Sequence, residues 1–194
     1  MKKPAQEMRQ HILDVARSLM THKGYTAVGL TEVVASAGVP KGSFYYYFKS
    51  KEAFGQALLG EYFSEYLSTV DTMLITAEGT AVERLTRYFR HWAHTEGSDL
   101  PNEKCLVVKL GPEVCDLSED MRVVLKTGTD AIIERIAQCI GQGQLDGSIP
   151  VETPAPMLAQ SLYQLWLGAS LLAKLNKDHA PFDTALINTK RLLS

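Results

Sequence analysis

Gly38-Val39-Pro40-Lys41-Gly42-Ser43-Phe44-Tyr45-Tyr46-Tyr47-Phe48-Lys49-Ser50-Lys51-Glu52 is the stretch on which the reading of this chain turns. Gly38 and Pro40 break one helix, and Lys41 to Tyr47 begins another of two turns. An aromatic run is ordinarily core, but five consecutive aromatics cannot all face inward on a helix. Phe44 and Phe48, four apart, share the inward face, which leaves Lys41, Ser43 and the hydroxyls of Tyr45, Tyr46 and Tyr47 for phosphates or base edges. Gly42 costs about 1 kcal/mol relative to Ala inside a helix, so its presence points to close approach of the backbone to a ligand. Ser50 caps a further helix, and at its start the Lys51 ammonium and nearby free amides together suit a phosphate.

Upstream, Met8, Ile12, Val15, Ala16, Leu19 and Met20 follow the spacing of one buried helical face, closed by Gly24. Thr31 is placed to cap a short second helix ending at Ala37. A packing helix followed by two short helices across a glycine turn is a helix-turn-helix. Charge agrees: residues 1–51 hold eight Lys/Arg against three acids, a net +5, whereas 52–194 hold 12 against 19, a net −7. A basic head of residues 1–51 is expected to face a polyanion, and an acidic body of 52–194 to do something else.

The body is helical wherever its periodicity can be read. The fourth helix is expected from Lys51 to about residue 74, and others at about 80–95, 103–114, 118–142, 153–175 and 182–193, with Asp116 and Glu119 as a capping box. The expected fold class is therefore all-α, a three-helix head on a larger helical bundle.

Residues Thr31 to Phe54, with the opening stretch at their centre, resemble the signature of the tetracycline-repressor (TetR) family. The resemblance implies an all-helical homodimer whose head binds a palindromic double-stranded DNA operator and whose C-terminal bundle senses a small molecule. It makes Thr31, Lys41, Gly42, Ser43, Tyr45, Tyr46, Tyr47 and Lys51 the DNA-contact candidates; Tyr47 stands where the family commonly has His.

A helix-turn-helix generally needs a partner, because one module reads too few base pairs. Leu158, Leu162, Leu165, Ala169 and Leu172 form an apolar stripe in the uncharged stretch 153–173, and are the expected dimer seam. Of the three cysteines, Cys105 follows Pro101-Asn102-Glu103-Lys104 in the first turn of a helix, where the macrodipole, Lys104 and Lys109 favour a thiolate. Lys174, the one charge ending the uncharged helix, is a candidate partner for that thiolate or its oxidised form. The segments 105–110, 113–122 and 165–174 resemble the N-ethylmaleimide-responsive repressor branch of the family. This implies that an electrophile or oxidant modifying Cys105 is the signal. The alternative inducer is an apolar molecule held noncovalently by Trp92, Tyr163 and Trp166.

Other classes find little support. There is no GxSxG, P-loop, HExxH or CxxC, so neither catalysis, cofactor nor metal is expected. Met1 to Glu7 turns polar where a secretion signal would be apolar, and the 153–173 stretch contains Pro154, Pro156 and several amides and hydroxyls, which argues against a membrane span. Three cysteines without CxxC spacing fit a reducing cytoplasm.

Overall fold

A computed structural model describes residues 4–98, 100 and 103–194. The charges of Lys2 and Lys3 and the Pro101-Asn102 approach to the sensor helix lie outside the described residues. Among those described, all regular structure is helical: α1 Ala5–Lys23, α2 Leu30–Ser36, α3 Lys41–Tyr47, α4 Lys51–Val70, α5 Ala81–Gly97, α6 Leu106–Leu117, α7 Glu119–Asp146, α8 Ala155–Asn176 and α9 Ala180–Leu192. The chain divides into two compact units, one of Met1–Phe63 with Asp99–Lys126 and one of Ser64–Ser98 with Thr127–Ser194. The first unit thus takes in more than residues 1–51: the start of α4, all of α6 and the start of α7 pack with the head.

The core of the first unit begins with Ile12, Leu13, Ala16 and Met20 on α1 and Val33 and Val34 on α2. Phe44, Phe48 and Phe54 close it as a triad, with ring centroids 4.9–5.3 Å apart and exposures of 3% or less. Each fully buried ring contributes about 1.5–3 kcal/mol, so α3 is held by its phenylalanines although it is too short to be helical alone.

Local chemistry sets the turns. After α2 the Val39 amide donates to Val34 at 2.9 Å and the Gly38 amide to Ala35 at 3.1 Å, a Schellman closure with Gly38 at φ 67°. Ser50 caps α4 through the Ala53 amide at 3.0 Å, as expected. Two expected caps are corrected. Gly29, not Thr31, precedes α2, so Thr31 sits inside the helix with its side chain exposed. The α7 cap is Ser118, whose hydroxyl accepts from the Met121 amide at 3.4 Å, because α6 continues through Asp116 to Leu117.

In the second unit α8 packs along α9, and α5 also packs on α9. Trp92 donates to the Ser170 hydroxyl and Trp166 to that of Thr189, each at 2.9 Å, so both indoles are satisfied in the core. Thr80 and Glu83 form a reciprocal capping box at the start of α5. The chain does not stay α-helical to residue 74: Asp71–Thr76 is a π-helical turn. Arg84, buried, donates to the Leu74 carbonyl and to Gln142 at 2.7 Å each, and Arg135 grips Asp71 at 2.6 and 3.2 Å.

Candidate nucleic-acid interface and sensor helix

Helix α3 sorts its aromatics by face. Phe44 and Phe48 are buried, whereas Tyr45 and Tyr46 are 58% and 76% exposed, an unusual state for rings with no functional partner. Lys41, Gly42 and Lys49 are exposed beside them, and Ser43 and Tyr47 are half-buried. A side chain at Gly42 would meet nothing within 4 Å, so the space above it is open to an incoming backbone.

Lys51 is placed differently from the other candidates. Its ammonium donates to the carbonyls of Val28 at 3.1 Å and Tyr25 at 3.3 Å and lies 4.9 Å from the centre of the Tyr25 ring. Two of its three protons thus hold the turn between α1 and α2. The Tyr25 hydroxyl returns a bond to the Lys51 carbonyl at 2.7 Å. Burial, then the charges of Glu52 and Glu113, push this phenol up to about 12, so it remains a donor at every working pH.

Glu113 opens the 113–122 segment, where no role of its own was legible in the sequence, and it grips the same turn from α6. Its carboxylate accepts the Tyr25 amide at 2.9 Å, the Thr26 amide at 2.7 Å and the Thr26 hydroxyl. Burial alone would raise this carboxyl; the bonds from Thr26 and Tyr25 and the charge of Lys51 outweigh it and hold it below the usual carboxylate range. A carboxyl lowered in the folded state stabilises it fully above the ordinary value and loses that contribution as pH falls through the lowered one. Acidification below about pH 4 should therefore lower the melting temperature of the wild type more steeply than that of Glu113→Gln, and parallel curves would contradict the tie.

Cys105 stands immediately before α6 as its N-cap, half-buried, with its carbonyl accepting the Lys109 amide at 3.1 Å. The thiol thus adjoins a helix N-terminus, one residue earlier than the expected first turn. Cys115 is exposed farther along α6. Cys139 is buried, its Sγ 3.8 Å from the Ala81 carbonyl, and burial pushes the thiol up to about 11, which makes it a poor nucleophile. Cys105 belongs to the first unit and Lys174, exposed in the last turn of α8, to the second.

The expected dimer seam is corrected in part. Leu158, Leu162 and Ala169 are buried inside their own subunit, Leu165 is half-buried, and only Leu172 of the five is exposed. The outward stripe of α8 is instead Met157, Ser161, Gln164, Gly168, Leu171, Leu172 and Leu175, with Ile187 exposed on α9. The aromatic residues suggested as pocket walls pack on one another: Trp92 lies 5.6 Å from Tyr163 and 6.2 Å from Trp166, and Phe89 stacks on Trp166 at 4.9 Å. Among the described residues no group of three or more His, Cys, Asp or Glu is placed to hold a metal, and no helix is long and apolar enough to cross a membrane.

Comparison with known proteins is consistent along the length of the chain. Residues 12–58 match the family of bacterial regulatory proteins of the tetR type, and residues 81–188 match the tetracyclin repressor-like C-terminal domain. The HTH-type transcriptional repressor NemR of Escherichia coli (strain K12) is 36% identical over 97% of this chain and 94% of its own. The HTH-type transcriptional repressor DhaR of Mycobacterium sp. (strain GP1) is 34% identical over 92% of this chain and 88% of its own. The crystal structure of the reduced form of E. coli NemR superposes with a TM-score of 0.92, covering 97% of both chains.

Proposed function

The chain belongs to the tetR family of bacterial regulatory proteins, and from that premise we propose that it works in the cytoplasm as a homodimeric repressor, released from a palindromic operator when Cys105 is modified. Two α3 helices enter successive major grooves, about 34 Å apart, with Lys41, Tyr45 and Tyr46 foremost and Thr31, Gly42, Ser43, Tyr47 and Lys51 supporting. The observation that carries the DNA-binding half is the sorting of α3, where the phenylalanines form the core and the tyrosines stand in solvent on a basic head.

The signal is a small electrophile or a reactive oxidant. The Cys105 thiolate adds to an electron-poor carbon, or is oxidised toward the sulfenic level, and the Lys174 amine is the proposed partner for the thiolate or its oxidised form. Cys105 at the mouth of α6 supports this reading, as does the likeness to a crystal structure described as the reduced form of E. coli NemR. The relatives are regulators, and no catalysis is assigned. Modification moves α6, and the two recognition helices lose the spacing of adjacent grooves.

The test is operator affinity on DNA from the protein's own upstream region, comparing reduced protein with protein treated with N-ethylmaleimide. Salt must be held constant, because phosphate contacts make affinity steeply salt-dependent. Weaker binding after treatment is expected; unchanged binding would return Cys105 to a packing role.

Lys51→Ala separates two contributions of one ammonium. Loss of its bonds to Tyr25 and Val28 should destabilise the head by about 1 kcal/mol in a denaturant titration. Loss of its charge near a phosphate should lower the salt slope of operator binding by about one. A lower stability with an unchanged slope would make Lys51 a brace of the head alone.

A further inference from the structure

We infer that Glu113 is the tie through which α6 sets the attitude of the helix-turn-helix, so that this carboxylate governs both the grip on DNA and the strength of the Cys105 response. The second half of this inference rests on the proposed thiol signal; the first does not. Glu113 lies eight residues beyond Cys105 on the same helix. It reaches 87 and 88 residues back along the sequence to take three hydrogen bonds from two consecutive residues of one turn.

That turn is a junction. It joins α1 to α2, whose N-cap is Gly29. The Tyr25 and Val28 carbonyls hold the Lys51 ammonium, and the Tyr25 hydroxyl holds the carbonyl of the same lysine at the start of α4. Moving the Glu113 carboxylate therefore moves the entry to α2 and the base of α4 together. There is no slack in the contact: a side chain on Gly24, which has φ 93°, would come within 3.1 Å of Glu113 Oε2. A backbone amide cannot be relocated by a rotamer change, so bonds to two successive amides fix the peptide plane itself.

Helix α6 also carries a weak point between the thiol and the tie. Pro112 lies inside it, so the Val108 carbonyl has no amide four residues on to receive, and the proline ring crowds that carbonyl. A displacement at Cys105 meets a helix that lacks one backbone hydrogen bond between Val108 and Pro112, immediately before Glu113. Glu113 is a positioning residue: it touches the turn, and the turn orients the helices that meet DNA.

The test uses the full-length protein as wild type, Glu113→Gln and Glu113→Asp, on upstream-region DNA at one salt concentration, before and after N-ethylmaleimide. Gln removes the charge at constant length, and Asp keeps the charge but shortens the arm. Both variants should bind about 5- to 10-fold more weakly when reduced, as expected for losing charge-assisted bonds worth about 1 kcal/mol or more. Amide exchange at Tyr25 and Thr26 should quicken in both. Treatment should weaken the wild type at least about tenfold but the variants by less than about threefold, because the tie is already lost.

Wild-type affinity in the reduced Asp variant would overturn the proposal. A gain in the Gln variant with no change in the Asp variant would do the same, showing only removal of a negative charge near DNA. Equal fold-losses on treatment in wild type and variants would confine Glu113 to shaping the head, overturning its part in the response. If treatment leaves the wild type unaffected, the thiol signal fails, and the reduced-state affinities still decide whether Glu113 sets the grip. Should Glu113→Gln not fold, Thr26→Ala removes one bond of the three and should lower reduced-state affinity about threefold; no loss there would overturn the tie.

Discussion

Leu172→Glu combined with Leu175→Glu is expected to turn the protein into a monomer and to weaken operator binding by at least about a hundredfold. Leu172 and Leu175 are 51% and 67% exposed, and Met157, Gly168 and Leu171 on α8 and Ile187 on α9 are exposed as well. On a twofold axis the same patch meets itself, so two new carboxylates per protomer would become four in one desolvated seam. Removing charges from water costs several kcal/mol each. A monomer keeps one recognition helix and loses the second half-site, which supplies a large part of the affinity of a dimeric reader. Sedimentation and operator titration check both halves together. A dimer of unchanged affinity would remove this face from the interface; Leu158→Ala, inside the subunit core, would by contrast destabilise by about 2–5 kcal/mol.

Cys105→Ser carries the second large effect, with the opposite signature. Reduced-state operator affinity should stay within about twofold of wild type, because serine differs from cysteine by one atom and is itself a favoured residue at the N-cap position that Cys105 holds. The response to N-ethylmaleimide should vanish. A wild-type loss of tenfold corresponds to a bias of only about 1.4 kcal/mol between two states, well within what one alkylated or oxidised side chain at a helix mouth can impose. Cys139→Ser should leave the response intact, since burial keeps that thiol protonated. A response retained by Cys105→Ser but lost in Cys115→Ser would move the signal to the exposed thiol farther along α6.

The head was legible in the sequence because its signals are local. Gly38 and Pro40 punctuate the turn, Ser50 caps α4, and the spacing of Phe44 and Phe48 chooses the inner face, all within a few residues of one another. Caps carried by backbone geometry were not legible: Gly29 heads α2 without a side-chain bond, and Thr31 is therefore left exposed.

By itself the sequence determined the helical class, the helix-turn-helix, the basic head and the position of a cysteine at the mouth of a helix, since each depends on neighbours along the chain. Only the tertiary structure decided which face of α8 is outward, because residues 153–173 carry no charge and the helix is apolar on two sides. One side, with Leu158, Leu162 and Trp166, is consumed by the subunit core, and the other is left in solvent. It alone decided the work of Lys51 and Glu113 as well. A charged side chain announces its charge in the sequence, but which backbone groups it will meet, 23 to 88 residues away, depends on how the helices pack.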